Sequence, residues 1–400
     1  MEKTYLCLYP DTFLWNKNGE GMIYNSINNC GFRFNNDAIE ETAKALNNLK
    51  NLYCVEINKL DTRNPEQEQF IANIQKCKAG ELVKLSASSP SPVVFPPLLN
   101  LQSEIGRLQK ESAEMVGENM LDYLHELTIW INTDSKHSGI IENIDYDILS
   151  NILRSASFSS IAHIHIKGTD IHKFPEVMKL IDILDRMHIK KSIHIKMSNL
   201  EHEMLSKNIF SSLQFALVVE VDNYENTEKI DEFARIINKS DINSEWTFQV
   251  QNEEEYQIVE MLVKEHQLLK CEIKPVFTGY NLKFFEENIY LTEEDLQSPG
   301  LSKREVFAHQ TLNTNDFGKL TITADGKVYA NPYFPALGTI EDDIRELIYK
   351  EMVQGTSWRH IRDMKPCCDC IYQWLCPSPS NYELTIGKPN LCHVKPFCSI

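Results

Sequence analysis

The residues best suited to chemistry are cysteines that gather near the end of the chain. Six of the eleven cysteines belong to this group: Cys367, Cys368, Cys370, Cys376, Cys392 and Cys398. Cys367 and Cys370 are spaced C-x2-C. Five residues separate Cys370 from Cys376, and fifteen separate Cys376 from Cys392. A C-x2-C turn places two thiolates on one metal ion or cluster, and two more cysteines returning from a loop complete four soft ligands.

The spacing does not decide which metal these thiolates hold. Thiolate sulfur suits both Zn²⁺ and iron, so a structural zinc ribbon is the alternative to an iron–sulfur cluster. Cys368 could replace Cys367, although Cys367 preserves the C-x2-C spacing, and Cys398 is expected to be spare. In a reducing compartment a disulfide framework is the weaker interpretation. The other cysteines are scattered singly: Cys7, Cys30, Cys54, Cys77 and Cys271.

Composition and charge exclude several functional classes. A chain of 400 residues is expected to form two or three domains. Its 42% hydrophobic and 24% charged residues are an ordinary globular balance. A formal net charge of −17 argues against a general nucleic-acid binder, which needs clustered Lys and Arg. The chain begins without a secretory signal pattern and has no apolar run long enough to span a bilayer, so a cytoplasmic location is expected.

The elements that must position the cysteines begin with a small α+β module. TYLCLYP, TFLWNK, GMIYNSI and NLYCVEI are typical of strands, and AIEETAKALNNL and PEQEQFIANIQKC have helical spacing. The stretch SASSPSPVVFPPL is expected to be a linker, because its Ser and Pro residues block regular hydrogen bonding.

After the linker, strands and helices alternate. Helical runs separate six strand-like runs: LTIWIN, IAHIHIKG, KSIHIKMS, ALVVEVD, EWTFQVQ and CEIKPVF. This alternation predicts parallel strands joined by right-handed crossovers. Six units predict an open or partial α/β barrel, because a full eight-stranded barrel usually needs about 250 residues.

Several of these strands carry polar residues on one face. His163, His165 and Lys167 alternate with isoleucines, and the next strand repeats the pattern around His194. A polar barrel interior suggests a wet cavity for a ligand or an extended peptide, and mutual salt bridging in a vestigial cavity is the alternative. A metal site on these histidines is not expected, because no third ligand has a recognisable spacing.

The C-terminal region adds a hairpin and a helix before the cysteines. GKLTITADGKVYANP is expected to form a β-hairpin that turns at Ala324-Asp325-Gly326. IEDDIRELIYKEMVQG is expected to form a helix that ends at Gly355.

Together these motifs resemble a known family. C-x2-C-x5-C with a distant cysteine, after a GKLTITADGKVY-type hairpin, resembles the SPASM domain of radical SAM peptide maturases. YLCLYPDTFLW and GMIYNS resemble the peptide-recognition module of the same enzymes. With SWRHIR and CIYQWLCPSPSNYE, the chain resembles the pseudo-radical-SAM SPASM proteins of Bacteroidales peptide natural-product systems, which carry GG-type leaders.

The resemblance implies three domains and one cluster. The domains are a peptide-recognition-like module at 1–85, a degenerate (β/α)6 radical-SAM-like partial barrel at 86–300 and a SPASM-like iron–sulfur domain at 301–400. One auxiliary [4Fe-4S] cluster is implied on four cysteine ligands: Cys367, Cys370, Cys376 and Cys392. A second cluster is not implied, because Ser380 stands where its cysteine is needed and the hairpin region contains none.

The chain also departs from the family where catalysis occurs. Radical SAM enzymes place C-x3-C-x2-C after the first barrel strand, but LTIWIN is followed by TDSKHSG, and the chain nowhere contains that motif. The turn after the second strand is KGTDI, with Gly168 alone where the family has a Gly-Gly-Glu type of turn. Neither S-adenosylmethionine nor radical catalysis is therefore expected.

The expected function is a non-catalytic accessory role in ribosomal peptide maturation. Its partners would be a precursor (leader) peptide and a radical SAM peptide maturase. The peptide would add a strand to a sheet edge, with Tyr24 and Asn25 as candidate contacts or as ordinary strand residues. The alternatives are an electron-transfer subunit that uses the cluster, a zinc-stapled binding protein and, with least support, an enzyme that uses His163, His165 or His194.

Overall fold

The computed structural model describes residues 2–35, 37–57, 64–98, 119–134, 141–156, 160–202, 205, 215–240 and 242–395. The chain divides into two compact units. The first unit contains Met1–Ser103, Tyr290–Asn315 and His360–Ile400, and the second contains Glu104–Ile289 and Asp316–Arg359. The three consecutive domains expected from the resemblance stay a prediction.

The strands are spread over the whole chain. They are β1 (Glu2–Leu8), β2 (Thr12–Lys17), β3 (Glu20–Asn25), β4 (Cys30–Phe34), β5 (Cys54–Glu56), β6 (Gly80–Ser86), β7 (Glu126–Asp134), β8 (Ile141–Asn143), β9 (His163–Gly168), β10 (Lys190–Lys196), β11 (Phe215–Val221), β12 (Ser244–Val250), β13 (Cys271–Pro275), β14 (Lys319–Ile322), β15 (Lys327–Tyr329) and β16 (Gly338–Thr339).

The helices connect these strands or pack around the cysteines. They are α1 (Asp37–Asn47), α2 (Pro65–Lys76), α3 (Tyr146–Ala156), α4 (Val177–Asp185), α5 (Thr227–Asn238), α6 (Glu253–His266), α7 (Leu282–Asn288), α8 (Glu293–Gln297), α9 (Lys303–His309), α10 (Ile344–Gln354) and α11 (Asn381–Ile386).

The first unit contains two antiparallel three-stranded sheets, ordered β5-β1-β6 and β2-β3-β4. At the β2–β3 turn, Asn18 and Gly19 have φ of 53° and 83°, the left-handed pair that a type I′ hairpin turn requires. Successive residues of a strand point to opposite faces of its sheet. Leu14 packs in one apolar cluster, whereas Phe13 and Met22 pack in another. The β2-β3-β4 sheet therefore has an apolar core on both faces.

The second unit is built on one large, mostly parallel sheet of mixed α/β type. Its order is β13-β12-β11-β10-β9-β7-β14-β15-β16, with β8 paired to β7. The six strands expected from the alternating pattern are all present, and neighbours pair in parallel. The expected hairpin also forms, as β14 and β15, and β14 extends the sheet by pairing in parallel with β7. The connection LEHEMLSKNI lies mostly outside the described residues.

One face of this sheet forms the core of the second unit. Leu127, Ile129 and Ile131 of β7 are fully buried, as are Ile164 of β9 and Leu217 of β11. They belong to one apolar cluster that includes side chains of α3 to α6. The alternation of the strand sequences therefore places the polar residues on the opposite face, as expected.

The helices of this unit begin at recognisable caps. Asn252 accepts a hydrogen bond from the Glu255 backbone N–H at the start of α6, and three glutamates occupy the first turn. Such acidic residues are favourable near the positive end of the helix dipole. No helix in the described part of the chain is both long and apolar enough to cross a membrane.

Candidate functional site

Four cysteines from the end of the chain line one cavity in the first unit. Cys367, Cys370, Cys376 and Cys392 each expose only 8–9% of their surface. The structure thus brings together the four residues chosen from the sequence, while their role as ligands stays a prediction. Cys368 is half-buried and does not line the cavity, and Cys398 lies outside the described residues.

Backbone turns present these sulfurs to the cavity. A single 3₁₀ turn spans Cys367–Asp369, and the Cys370 N–H donates to the Cys367 carbonyl at 3.0 Å. Cys392 forms an isolated parallel bridge with Leu291. The backbone N–H groups of Val394 and Lys395 point at the Cys392 sulfur at 3.2 and 3.4 Å.

The four sulfurs are too far apart to surround one small ion. No three of them lie within 4.8 Å of one another, although all four cysteines are among the described residues. A tetrahedral zinc ion with Zn–S bonds of about 2.3 Å needs sulfurs separated by about 3.8 Å. A tetrahedral single-ion site would require these side chains to move closer together.

Burial weakens the acidity of three of these thiols. It raises the pKa of Cys376 to about 12, against the opposing charge of the Arg362 guanidinium. Burial also raises the pKa of Cys367 and of Cys370. In general, a metal that binds to such thiols must displace their protons, so its affinity rises with pH.

The N-terminal β2-β3-β4 sheet supports the cysteine segment directly. Phe13 of β2 and Met22 of β3 share an apolar cluster with Cys370 and Cys376. The Lys17 ammonium donates to the Cys368 carbonyl at 2.7 Å. These parts of the first unit therefore depend on each other, although most of the chain separates them in sequence.

Tyr24 and Asn25 have structural roles in this support and are not exposed contacts. They retain 4% and 2% of their surface in the middle strand β3. The Tyr24 hydroxyl donates to the Leu301 carbonyl at 2.7 Å. The Asn25 side chain donates to the Lys78 carbonyl and accepts backbone N–H groups of its own turn. The interpretation of both as ordinary strand residues fits their surroundings.

A groove beside β4 is a better candidate surface for an extended chain. Among the described strands, β4 pairs only with β3, so its other edge is free. The groove is lined by residues of β4 and α2, by Asn35 after β4 and by Ile39 of α1: Phe32, Arg33, Phe34, Asn35, Ile39, Pro65, Glu66, Gln69, Phe70 and Asn73. An unpaired edge beside apolar and amide side chains suits strand addition.

Two cysteines that the sequence left single are joined in the same module. Cys30, at the start of β4, and Cys77, after α2, form a disulfide with a Cα–Cα distance of 5.2 Å. The sequence pattern did not indicate this pairing, because folding brings together residues 47 positions apart. The disulfide ties the free-edge strand to the helix on the other side of the groove.

In the second unit, the polar face of the sheet is bonded largely to itself. The His194 Nδ1 lies 2.9 Å from the Glu220 carboxylate, and its Nε2 lies 3.0 Å from the His165 Nδ1. The Lys167 ammonium donates to the same Glu220 oxygen at 3.1 Å. A carboxylate only accepts, so neutral rings require His194 to donate to Glu220 and His165 to donate to His194. This pattern matches the mutual-bridging interpretation.

Burial keeps these histidines neutral. It lowers the pKa of His165 to about 3, with help from the charges of His163 and His194, and it also lowers the pKa of His194. Burial alone would raise the pKa of Glu220, but the hydrogen bond from His194 and the charge of Lys167 outweigh it and bring the pKa to about 2.

The neutral histidines predict acid sensitivity of the second unit. Unfolded histidines have a pKa near 6.5, so between about pH 6.5 and 3 the unfolded chain binds protons that the folded chain does not. Stability is therefore lost as pH falls, by up to about 1.4 kcal/mol per pH unit for each such histidine. Urea unfolding of the wild type and of His165→Phe from pH 7 to 4 measures this slope. Equal slopes in the two proteins would contradict the assignment.

A third group of side chains has a simpler explanation. Asp231 of α5 and Glu265 and His266 of α6 have potential ligand atoms within 4.8 Å of one another. The His266 Nε2 already lies 2.7 Å from the Asp231 carboxylate, and its ring is almost fully buried. This bond between neighbouring helices accounts for the cluster without a metal ion.

Comparison with known proteins identifies solved structures with a similar fold. No protein-family model matches the chain, and no curated protein does. Streptococcus suis SuiB bound to its precursor peptide SuiA is similar, with a TM-score of 0.51 at 12% identity over 97% of this chain and 98% of that one. SuiB bound to S-adenosylmethionine gives 0.51 at 13% over 96% and 98%, and SuiB alone gives 0.50 at 12% over 98% and 100%. The chain therefore shares the fold of SuiB over nearly its whole length.

Sequence reasoning missed two parts of the site. Arg362 lies in SWRHIR, which the sequence marked only as a similarity, yet its guanidinium lines the cysteine cavity. The β4 strand escaped notice because CGFRF is short and begins with Cys-Gly. The signal for Arg362 was a charged residue shortly before a C-x2-C motif. The signal for β4 was a third strand-like run after an obvious hairpin.

Proposed function

We propose that this protein is a non-catalytic accessory protein in the maturation of a ribosomally made peptide. It binds a precursor peptide, a radical SAM peptide maturase or both, and it carries one [4Fe-4S] cluster. The observation that carries the proposal is the convergence of Cys367, Cys370, Cys376 and Cys392 on one cavity, against the sheet that ends at the free β4 edge.

The geometry of the cavity supports iron over zinc. Four sulfurs of which no three lie within 4.8 Å of one another suit a cluster of several metal atoms better than one tetrahedral ion. When bound, the cluster would supply cross-links among the segments that carry the four cysteines and a site for one electron. The four thiolates hold it, and the energy of metal binding becomes folding energy of the surrounding segment.

We propose a single cluster, held by one set of ligands in a SPASM-like domain. The position that would bring a cysteine for a second cluster is Ser380, whose hydroxyl and backbone form a capping box with Glu383 at the start of α11. The Ser380 side chain is thus used to begin a helix. This capping role supports a structural function for Ser380.

The absence of radical chemistry is proposed from the sequence. No C-x3-C-x2-C motif occurs in the chain, and the first strand of the expected partial barrel, β7, ends in a TDSKHSG stretch without a cysteine. Residues 135–139 of this stretch lie outside the described residues. The proposal therefore assigns S-adenosylmethionine to the partner maturase and not to this chain.

Peptide binding is proposed at the β4 edge. The fold is that of SuiB, which has been solved with its precursor peptide SuiA, and the β4 groove offers unpaired backbone beside apolar side chains. Strand addition gives affinity through main-chain hydrogen bonds and specificity through side-chain pockets. A cytoplasmic location is part of the proposal, because a leader peptide is recognised before export.

An electron-transfer subunit is the second candidate function. Each of the four cysteines retains 8–9% exposure, so none of them is completely enclosed. Electron exchange with a partner requires such proximity, together with a suitable reduction potential. Electron transfer to a maturase that stops when the cysteines are replaced, while peptide binding persists, would favour this candidate.

Anaerobic purification with iron, sulfide and zinc analysis tests the cluster. About four irons and four sulfides per chain are expected. One zinc without sulfide would overturn both the cluster and the electron-transfer function and leave a zinc-stapled binding protein. Seven or more irons would mean a second cluster and would contradict the non-catalytic assignment.

Filling the β4 groove is expected to weaken peptide binding at least tenfold. Asn73→Trp places a large ring beside the free edge, whereas Gln75→Trp changes the same helix outside the groove lining and serves as the control. Fluorescence anisotropy with a labelled precursor peptide encoded near this protein's gene measures the affinity. Wild-type binding by Asn73→Trp would place the peptide site elsewhere.

A further inference from the structure

A buried arginine contacts the cysteine cavity from inside the protein. Arg362 retains 6% of its surface. Its Nη1 lies 3.9 Å from the Cys367 sulfur, its Nη2 donates to the Glu383 carboxylate at 2.8 Å and its Nε donates to the Pro377 carbonyl. The guanidinium therefore stands between one carboxylate and the sulfur side of the cavity.

The guanidinium is paired on one side and turned to sulfur on the other. A buried charge is costly unless it is paired and its hydrogen bonds are made. Glu383 supplies one charge and a carbonyl supplies one acceptor, while the remaining contact is with sulfur at hydrogen-bonding distance for that atom. Sulfur is a weak acceptor as a thiol and a charge-assisted one as a thiolate. A sulfur that carries negative charge, as in a metal-bound cysteine, is therefore the stronger partner for this guanidinium.

We infer that Arg362 is the charge partner of the metal group held by the four cysteines and that it raises the reduction potential of that group. The inference rests on the proposed function, because it requires a redox-active cluster. Charge near a cluster and hydrogen bonds to its sulfurs are established determinants of potential. One-electron reduction adds negative charge, so a fixed cation beside Cys367 stabilises the reduced state.

The same geometry gives Glu383 the opposite effect. Its carboxylate lies on the other side of the guanidinium, where it partly cancels the positive charge. Removing the negative charge should raise the potential, and removing the positive charge should lower it. If Arg362 only packed against its neighbours, the two substitutions would not be expected to shift the reduction potential in opposite directions.

The experiment compares midpoint potentials by spectroelectrochemistry in four proteins with measured iron and sulfide contents. Arg362→Gln is expected to shift the potential downward, and Glu383→Gln upward. Glutamine at 383 keeps the capping box of α11, which accepts Glu or Gln at that position. Arg359→Gln is the control, since that guanidinium donates to the Val353 carbonyl and does not line the cavity. Equal potentials in fully loaded wild type and Arg362→Gln, or shifts of both variants in one direction, overturn the inference.

Loss of iron from Arg362→Gln is resolved with Arg362→Lys, which keeps the charge. Iron retained by the lysine variant supports the inference, and iron lost from both variants overturns it in favour of packing. Zinc without sulfide in the wild-type protein would contradict the proposed cluster itself. In that case the rate of zinc release to a chelator tests whether Arg362 is the charge partner of the metal. Release at least tenfold faster from Arg362→Gln than from Arg359→Gln supports that role, and equal rates exclude it.

Discussion

Replacing Cys370 and Cys376 together by alanine is expected to remove iron and sulfide from the purified protein. Both sulfurs line the cavity, and both residues lie in the apolar cluster shared with β2 and β3. Two remaining thiolates cannot hold a cluster that needs four. Structural metal sites contribute on the order of 10 kcal/mol to folding, so the first unit is expected to lose its cooperative unfolding transition as well.

Two single variants serve as controls for the cysteine replacement. Cys368→Ala removes a neighbouring thiol that does not line the cavity, and Cys271→Ala removes an exposed thiol on β13. Both should keep about four irons per chain. Iron, sulfide and the visible spectrum are measured on anaerobically purified protein. Full iron in the double variant, or iron loss in Cys368→Ala, would show that the ligand set is wrong.

Local patterns account for most of the fold that could be predicted from the sequence. Alternating residues placed Ile164 and Ile166 on one face of β9 and His165 on the other, because side-chain direction in a strand has a period of two. Cys367 and Cys370 were found by spacing alone, since a C-x2-C turn is local. Such features depend on neighbours a few residues apart.

The features that were not predicted depend on pairing between distant segments. The hairpin β14–β15 was expected, but its parallel pairing with β7 joins residues almost 200 positions apart, and no local pattern specifies that partner. Cys30 and Cys77 look unrelated until β4 and α2 are folded. Arg362 likewise acquires its neighbours Cys367 and Glu383 only when α11 returns to the cavity.

Alanine at Trp358 is expected to cost the second unit about 3–5 kcal/mol, the usual loss for a fully buried tryptophan. Trp358 has no exposed surface, and its ring packs edge-on against Phe317 at 5.3 Å. Its Nε1 donates to the Lys319 carbonyl at 3.0 Å, at the first residue of β14. The loss is therefore concentrated where the hairpin joins the large sheet.

The Glu351 carboxylate explains why this ring is held so firmly. It has no exposed surface, and it accepts the backbone N–H groups of Ser357 and Trp358 at 2.8 Å each.

Trp358→Phe keeps most of the apolar contact and loses the indole donor, so a smaller cost of about 1 kcal/mol is expected. Urea unfolding followed by circular dichroism measures both variants. Because domains are stable by 5–15 kcal/mol in general, the alanine variant should be close to unfolding in that unit. A loss below about 1 kcal/mol for Trp358→Ala would mean that the attachment of β14 to β7 does not depend on this residue.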